Sequence, residues 1–234
     1  MKYEGIFFDL DGTLLPMDND AFTKGYLGLL AAAVAPYGFE PKSMLCAMWK
    51  GVAAMVKNDG SRTNDKVFWD VFAGILGDFT YHHIADFDAF YKKDFHKAVA
   101  FTQPTALAAR AVALAREKAN RVVLATNPFF PRVAVNARLS WTGIAEDDFD
   151  LITDYENSSY CKPNPVYYLD ICKKMGVEPT RCLMIGNNAE EDIAAAQAAG
   201  LSTFLLTDCL IAEGALPDTP KGSFPVLIEF LTAL

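Results

Sequence analysis

Five short apolar runs, each followed by turn residues, constrain the fold of this chain more than any other feature of its 234 residues. Near-continuous hydrophobicity over so few residues is typical of parallel strands that are buried on both faces. Segments with helical spacing of apolar side chains alternate with the later runs, which indicates βαβ units. We predict an α/β fold with a Rossmann-like, doubly wound parallel sheet. The predicted strands are residues 5–8, 121–125, 149–152, 182–185 and 203–206, and the predicted helices are residues 104–118, 131–140, 165–175, 190–199 and 225–234.

The long stretch between the first and second predicted strands breaks this alternation. A crossover between parallel strands needs only one helix. This stretch has helical spacing of apolar residues in four places, namely residues 18–35, 41–57, 63–76 and 85–99. We therefore predict an inserted α-helical domain over residues 16–100, with residues 1–15 and 101–234 forming the core. We interpret six Met and aromatic residues of the insert as its hydrophobic core: Met44, Met48, Trp49, Met55, Phe68 and Trp69.

The composition narrows the range of partners and compartments. The net charge is −8 and no basic stripe is present, so we expect neither nucleic acid nor a membrane surface as a partner. The five cysteines are scattered without a C-x-x-C pair, which favours neither a zinc site nor a disulfide framework. No signal-peptide layout precedes the first predicted strand, and we expect a cytoplasmic protein. We expect it to be a monomer or a small homo-oligomer.

The segment Asp9-Leu10-Asp11-Gly12-Thr13 directly follows the first predicted strand. In open α/β sheets, ligands bind beyond the carboxyl ends of the strands. Residues two apart on an extended chain project to the same side, so Asp9 and Asp11 should lie close together. Neighbouring carboxylates repel each other unless a cation neutralises them, and Mg²⁺ prefers such oxygen ligands. The segment therefore predicts a divalent-metal site that contains Asp9 and Asp11.

Three further polar segments follow later predicted strands. Thr126-Asn127-Pro128 has the residues of a helix start, and the N–H groups of a helix N-terminus bind anions. Lys162-Pro163 precedes the predicted helix at residues 165–175. Gly186-Asn187 leads into an acidic stretch that ends at Asp192. A helix is expected to begin at each of these places.

The four polar segments, in this order, resemble the four motifs of the haloacid dehalogenase-like (HAD) superfamily, in particular its phosphatase branch with a C1-type helical cap. The resemblance implies that Asp9 attacks phosphorus to form an aspartyl-phosphate and that Asp11 is the general acid and base. True haloacid dehalogenases lack the second Asp, so Asp11 argues for phosphoryl chemistry. The same resemblance implies that Thr126, Asn127 and Lys162 bind the phosphate, with Lys162 stabilising charge in the transition state.

The resemblance also implies a Mg²⁺ cofactor. Its expected ligands are Asp9, Asp11, Asn187 and Asp192. Asn187 stands where the family usually has an Asp, and an amide oxygen can bind the ion but brings no negative charge. The family's strand order, 3-2-1-4-5, would bring Asp9, Thr126 and Asn187 around one crevice.

These features leave three hypotheses for function. The first is hydrolysis of a small phosphate monoester, with a small phosphorylated metabolite as the substrate. The second is a phosphomutase of the same fold, which needs the same two Asp residues but protects the aspartyl-phosphate from water. The third is a non-catalytic binding protein with a weakened metal site, which Asn187 motivates.

Overall fold

A parallel β-sheet forms the centre of the molecule. The structure is a computed structural model and describes residues 3–234. Within these residues the sheet has six strands in the order β3-β2-β1-β4-β5-β6. The strands are β1 Gly5–Phe8, β2 Arg121–Leu124, β3 Leu151–Ile152, β4 Cys182–Gly186, β5 Ser202–Leu206 and β6 Lys221–Gly222. The predicted fold class and the expected order of the first five strands are confirmed. The sequence-based prediction missed β6, which has no apolar run and pairs with β5 at the edge of the sheet.

Helices cover both faces of the sheet, because successive side chains of each strand point to opposite faces. Ile6 and Phe8 of β1 pack on one side, and Phe7 between them packs on the other. The first face is covered by α5 Ala106–Lys118, α6 Arg132–Trp141 and α9 Phe224–Thr232, and the second by α7 Val166–Met175 and α8 Ala195–Ala198. Burial on both faces explains why the strands appear as continuous apolar runs in the sequence.

A helical insertion, residues 19–101, joins β1 to β2. Its helices are α1 Asn19–Val34, α2 Pro41–Val56, α3 Asn64–Leu76 and α4 Ile84–Lys92, followed by a 3₁₀ segment, Asp94–Phe101. The chain enters and leaves the insertion side by side, because Met17 and Thr102 form an antiparallel bridge. The domain boundaries at residues 16 and 100 stay a prediction.

The insertion packs against the core through aromatic side chains and a few hydrogen bonds. The rings of Phe95 and Trp141 are 5.4 Å apart between centroids, and so are those of Tyr26 and Phe130. The backbone N–H of Asp65 donates to the carbonyl of Tyr155 at 2.9 Å. These contacts hold the insertion over the carboxyl edge of the sheet.

Two predicted helices differ from the structure. The helix predicted over residues 85–99 ends at Lys92, because the backbone of Lys93 (φ −126°, ψ −75°) is not helical. No helix starts at Asn127-Pro128 as expected from those residues, because residues 127–131 form a loop; α6 starts at Arg132, in agreement with the helix predicted over residues 131–140. This loop brings Phe129 and Phe130 beneath the insertion. None of the helices within residues 3–234 has the length and apolar character needed to cross a membrane.

Candidate active site

The carboxyl ends of β1, β2 and β4 lie side by side and bring the predicted site residues together. Phe8 is in register with Leu124 of β2 and Ile185 of β4. The residues that follow these strands therefore emerge at the same edge. Asp9 is held there by its backbone N–H, which donates to the Ile185 carbonyl at 3.0 Å. Asp9, Thr126 and Asn187 line one cavity at this edge.

Lys162 connects two of the predicted acidic residues. Its Nζ lies 2.8 Å from Oδ1 of Asp9 and 2.6 Å from Oδ1 of Asp192. All three residues are buried. Burial opposes the Lys162 ammonium, but the carboxylates of Asp192 and Asp9 outweigh this effect and raise its pKa well above the ordinary value. Lys162 therefore stays charged and orients the Asp9 carboxylate.

Asp11 pairs with Arg138, which the sequence-based prediction missed. One guanidinium nitrogen of Arg138 donates to Oδ2 of Asp11, and Nε donates to the carbonyl of Ala134. The guanidinium also lies 4.0 Å from the ring centroid of Phe130. Burial raises the pKa of the Asp11 carboxyl, and the Arg138 charge opposes that rise. In the sequence, Arg138 lies on the apolar stripe of α6 together with Ala134, Val135 and Leu139. A charged residue on an apolar stripe is unusual, and this position is the signal that could have indicated a buried ion pair.

Asn187 is held by hydrogen bonds on both sides of its amide. Thr13 Oγ1 donates to Oδ1 of Asn187 at 2.8 Å, and Nδ2 of Asn187 donates to the Cys209 carbonyl at 2.7 Å. Gly12 lies directly against this amide and has φ +83°, so a Cβ there would approach Asn187 Nδ2 to 2.4 Å. The Asp9–Thr13 turn and the loop after β4 therefore fit closely only with glycine at position 12.

Thr126 and Asn127 form the neighbouring wall of the cavity. The backbone carbonyl of Thr126 accepts hydrogen bonds from Thr153 Oγ1 at 2.7 Å and from the Tyr167 hydroxyl at 2.8 Å. Nδ2 of Asn127 donates to Oε2 of Glu191 at 3.0 Å. The Oδ1 atom of Asn127 is buried without a hydrogen-bond partner among residues 3–234. Asn127 therefore has a free acceptor beside the other predicted site residues.

Asp192 belongs to the support of Lys162. Its Oδ1 contacts Lys162, and its Oδ2 accepts a hydrogen bond from the Asn188 backbone N–H at 3.0 Å. Burial raises the pKa of Asp192 to about 7, although the Lys162 ammonium lowers it. Both carboxylate oxygens are thus engaged by protein donors.

Asp9 and Asp11 are the predicted central donors for a divalent cation. Within residues 3–234, no three His, Cys, Asp or Glu side chains form a ready metal-binding group. Oδ1 of Asp11 is nevertheless buried and has no hydrogen-bond partner among the described residues. The site has more acidic than basic groups, with the carboxyl groups of Asp9, Asp11, Glu191 and Asp192. Lys162 pairs with Asp9 and Asp192, Arg138 pairs with Asp11, and Glu191 has no ion pair within residues 3–234. An orphaned carboxylate oxygen and this excess of negative charge suit a hard cation such as Mg²⁺.

The cavity has a volume of about 300 Å³ and extends from the acidic floor into the helical insertion. Four residues that we interpret as core of the insertion line this cavity: Met48, Trp49, Phe68 and Trp69. Met48, Phe68 and Trp69 are also buried. Met44 and Met55 are packed in the core, as expected. The periodicity of a helix cannot distinguish these two outcomes, because core and cavity walls are both apolar.

Comparisons with known proteins identify the family and the fold of the chain. The family model of haloacid dehalogenase-like hydrolases matches residues 3–200. The structure is similar to 2-haloacid dehalogenase from Pseudomonas syringae pv. tomato DC3000 (TM-score 0.65, 20% identity, 99% of each chain covered). It is also similar to a predicted phosphoglycolate phosphatase from Haemophilus somnus (TM-score 0.57, 18% identity, 98% of each chain). A third similar structure is the HAD-hydrolase YfnB from Bacillus subtilis, described as bound to magnesium (TM-score 0.60, 18% identity, 99% of each chain).

No curated protein matches the sequence. The solved structures are too distant in sequence to indicate more than the fold. The family match covers most of the chain, including all four polar segments at the strand ends. The protein therefore belongs to the haloacid dehalogenase-like hydrolases.

Proposed function

We propose that this hydrolase is a Mg²⁺-dependent phosphatase that acts on a small phosphate monoester through an aspartyl-phosphate on Asp9. The observation that carries the proposal is the pair of carboxylates at the end of β1. Asp9 is buried and oriented by Lys162, and Asp11 lies beside it on the same cavity. One carboxylate is thus available as nucleophile and the other as acid and base.

The first step transfers the phosphoryl group to the protein. Oδ1 of Asp9 accepts a hydrogen bond from Lys162, which leaves Oδ2 to attack phosphorus. The bond between phosphorus and the ester oxygen breaks as the Asp11 carboxyl protonates the leaving oxygen. The raised pKa of Asp11, caused by burial, keeps this proton available nearer to neutral pH.

The second step releases phosphate. The Asp11 carboxylate takes a proton from water, the water oxygen attacks phosphorus, and the bond to Asp9 breaks. Lys162, Thr126 and Asn127 are proposed to hold the phosphoryl oxygens during both steps. Lys162 keeps its position because Asp192 anchors it from the side opposite to Asp9.

Asp9 and Asp11 are the residues that would hold Mg²⁺. When bound, the ion offsets negative charge on the carboxylates and on the phosphoryl group. Asn187 and Asp192 stay predicted ligands, but their oxygen atoms accept hydrogen bonds from protein donors here. The proposal is also consistent with the description of the magnesium-bound Bacillus neighbour.

Phosphate release from p-nitrophenyl phosphate and a panel of phosphorylated metabolites tests the proposal. We expect turnover with Mg²⁺, its loss with a chelator, and a loss of at least about 10³-fold in Asp9→Asn. Asp218→Asn is the matched control, because Asp218 is exposed and does not line the cavity.

Three results would contradict the proposal. One is phosphate release that survives in Asp9→Asn. Another is an isomerised product without free phosphate, which would identify a phosphomutase. The third is halide release from 2-chloropropanoate without any phosphatase activity, which would identify a dehalogenase like the Pseudomonas neighbour.

A further inference from the structure

The upper part of the cavity is built from aromatic side chains of the insertion and the core. Phe68, Trp69, Phe87 and Tyr91 come from the insertion, and Tyr155 from the core. Many of these rings meet edge to face; the centroids of Trp69 and Phe87, for example, are 5.4 Å apart at an interplanar angle of 86°. Trp69 Nε1 is already within hydrogen-bond distance of the Tyr155 hydroxyl (3.4 Å). This wall therefore offers a ligand mainly ring faces and edges.

Two of the polar groups that line the cavity are hydrogen-bond acceptors without a partner among the described residues. Oδ1 of Asn19 is buried and has no partner within residues 3–234. Asp88 also lines the cavity, and no hydrogen bond or ion pair to its carboxylate occurs in the described part of the chain. Partial burial raises the pKa of Asp88, while Lys92 on the same helix opposes the rise. Ionising Asp88 would therefore be easier beside a bound cation.

The cavity wall formed by residues 3–234 contains no positive side chain. At the acidic floor, Lys162 and Arg138 pair with Asp9 and Asp11. Among residues 3–234, no Lys or Arg lines the cavity itself. The basic residues of the insertion that could meet an anion, Lys24, Lys50, Lys57 and Arg62, are all exposed. An anionic group on the leaving part of a substrate would lie among ring faces and Asp88 without a counter-charge. Burying a charge without a partner is strongly unfavourable.

We infer that the leaving group of the substrate is aromatic and carries no negative charge, and that Asp88 favours an ammonium group on it. This inference rests on the proposed phosphatase function. Ring faces attract cations and repel anions, because the aromatic quadrupole is negative at the face. An apolar cavity of about 150 Å³ is large enough for benzene. A cavity of about 300 Å³ therefore holds one ring together with a phosphoryl group.

A panel of matched esters tests the inference in the complete protein with Mg²⁺. The esters are phenyl phosphate, 4-(aminomethyl)phenyl phosphate, 4-carboxyphenyl phosphate and phosphoglycolate. We expect kcat/KM for phenyl phosphate to exceed that for phosphoglycolate by at least about tenfold. We expect the aminomethyl ester to exceed the carboxyl ester by at least about the same factor.

Asp88→Asn isolates the charge preference. The variant should reduce the ratio of the aminomethyl to the carboxyl ester by about fivefold or more. Asp86→Asn is the control, because Asp86 lies on the same helix, loses the same charge and does not line the cavity. The control should leave the ratio unchanged.

The outcomes separate the two proposals. Phosphate release that favours phosphoglycolate or the carboxyl ester overturns the inference and leaves the phosphatase proposal standing. An equal change of the ratio in Asp88→Asn and Asp86→Asn overturns the role of Asp88. No phosphate release from any ester, under conditions in which the protein is folded, overturns the proposed function and the inference with it.

Discussion

Arg138 shows how one buried residue can set the chemistry of its neighbour. Its side chain is fully buried, and it contacts both Asp11 and the Phe130 ring. Two effects compete at Asp11. Burial raises the pKa of its carboxyl, and the Arg138 charge lowers it. The proposed general acid therefore depends on a balance between these effects, and Arg138 acts as a positioning residue.

Replacing Arg138 should move the pH dependence of catalysis. Arg138→Met removes the charge that lowers the Asp11 pKa, so the carboxyl stays protonated to higher pH. We expect the alkaline limb of the kcat/KM profile to move to higher pH. We also expect the free energy of unfolding to fall by about 3 kcal/mol, because Asp11 loses its buried partner.

Arg138→Lys keeps the charge and serves as the comparison, measured with the same pH profile and with urea unfolding. Its alkaline limb should lie between those of the wild type and Arg138→Met. A profile of Arg138→Met that superimposes on the wild type would show that Arg138 has no influence on Asp11.

The second and third helices of the insertion, α2 and α3, pack closely at a glycine. Gly51 of α2 lies against the Phe68 ring of α3, and a Cβ at this position would approach the ring to 2.6 Å. Phe68 cannot move away freely, because it is buried and stacked on Phe72 at 5.4 Å. It also lines the cavity, so the packing of these two helices shapes the proposed binding site.

Two glycine substitutions should therefore change stability in opposite directions. Gly51→Ala should lower the free energy of unfolding by about 1–3 kcal/mol, because the new methyl group overpacks the contact with Phe68. Gly28→Ala, in the interior of α1, should raise it by about 0.5–1 kcal/mol, because its Cβ meets open space and the unfolded chain loses freedom. Chemical denaturation measures both. Equal effects of the two substitutions would refute the packing argument.

For the whole molecule, the acidic site couples folding to pH. Burial raises the pKa values of Asp11, Glu191 and Asp192, the last to about 7. Ordinary carboxyl groups have pKa values of about 4. At pH values between that range and these raised pKa values, the folded protein binds more protons than the unfolded chain. Stability from these groups is thus present at low pH and is lost as pH rises through about 7.

Tm should reflect this coupling. In the presence of a chelator, we expect Tm to fall between about pH 5 and about pH 8, and Glu191→Gln to flatten the fall. Mg²⁺ should raise Tm more at the higher pH, because it binds the ionised carboxylates in competition with protons. Scanning calorimetry checks both effects. A Tm that rises over this range with chelator, or that Mg²⁺ leaves unchanged at the higher pH, would contradict the electrostatic account.

Several parts of the fold followed from local pattern alone. The apolar run at Gly5–Phe8 corresponds residue for residue to β1, and the other four runs overlap strands, although only the second half of the run over residues 149–152 belongs to β3. A buried parallel strand must be apolar on both faces, so burial leaves its mark directly in the sequence. The polar segments that follow the strands meet at one edge because parallel strands end on the same side of the sheet.

Where local pattern failed, distant contacts decided the structure. Apolar spacing continues through Phe90, Phe95 and Ala98, but the chain changes from α-helix to 3₁₀ helix after Lys92. Phe95 packs there against Phe22 and Trp141, which are far away in the sequence. Spacing records which side chains are buried, and it does not record the backbone path that buries them.

The sequence by itself determined five of the six strands found within residues 3–234, the existence of a helical insert, and the acidic, amide and lysine residues placed at the strand ends. These features depend on local hydrophobicity and on order along the chain. Only the tertiary structure decided that Arg138 pairs with Asp11, that Asn187 pairs with Thr13, and that aromatic residues of the insertion face a cavity. The physical reason is that a charge pair or a cavity wall depends on which surfaces meet. Residues 127 positions apart, such as Asp11 and Arg138, carry no local sign of that meeting.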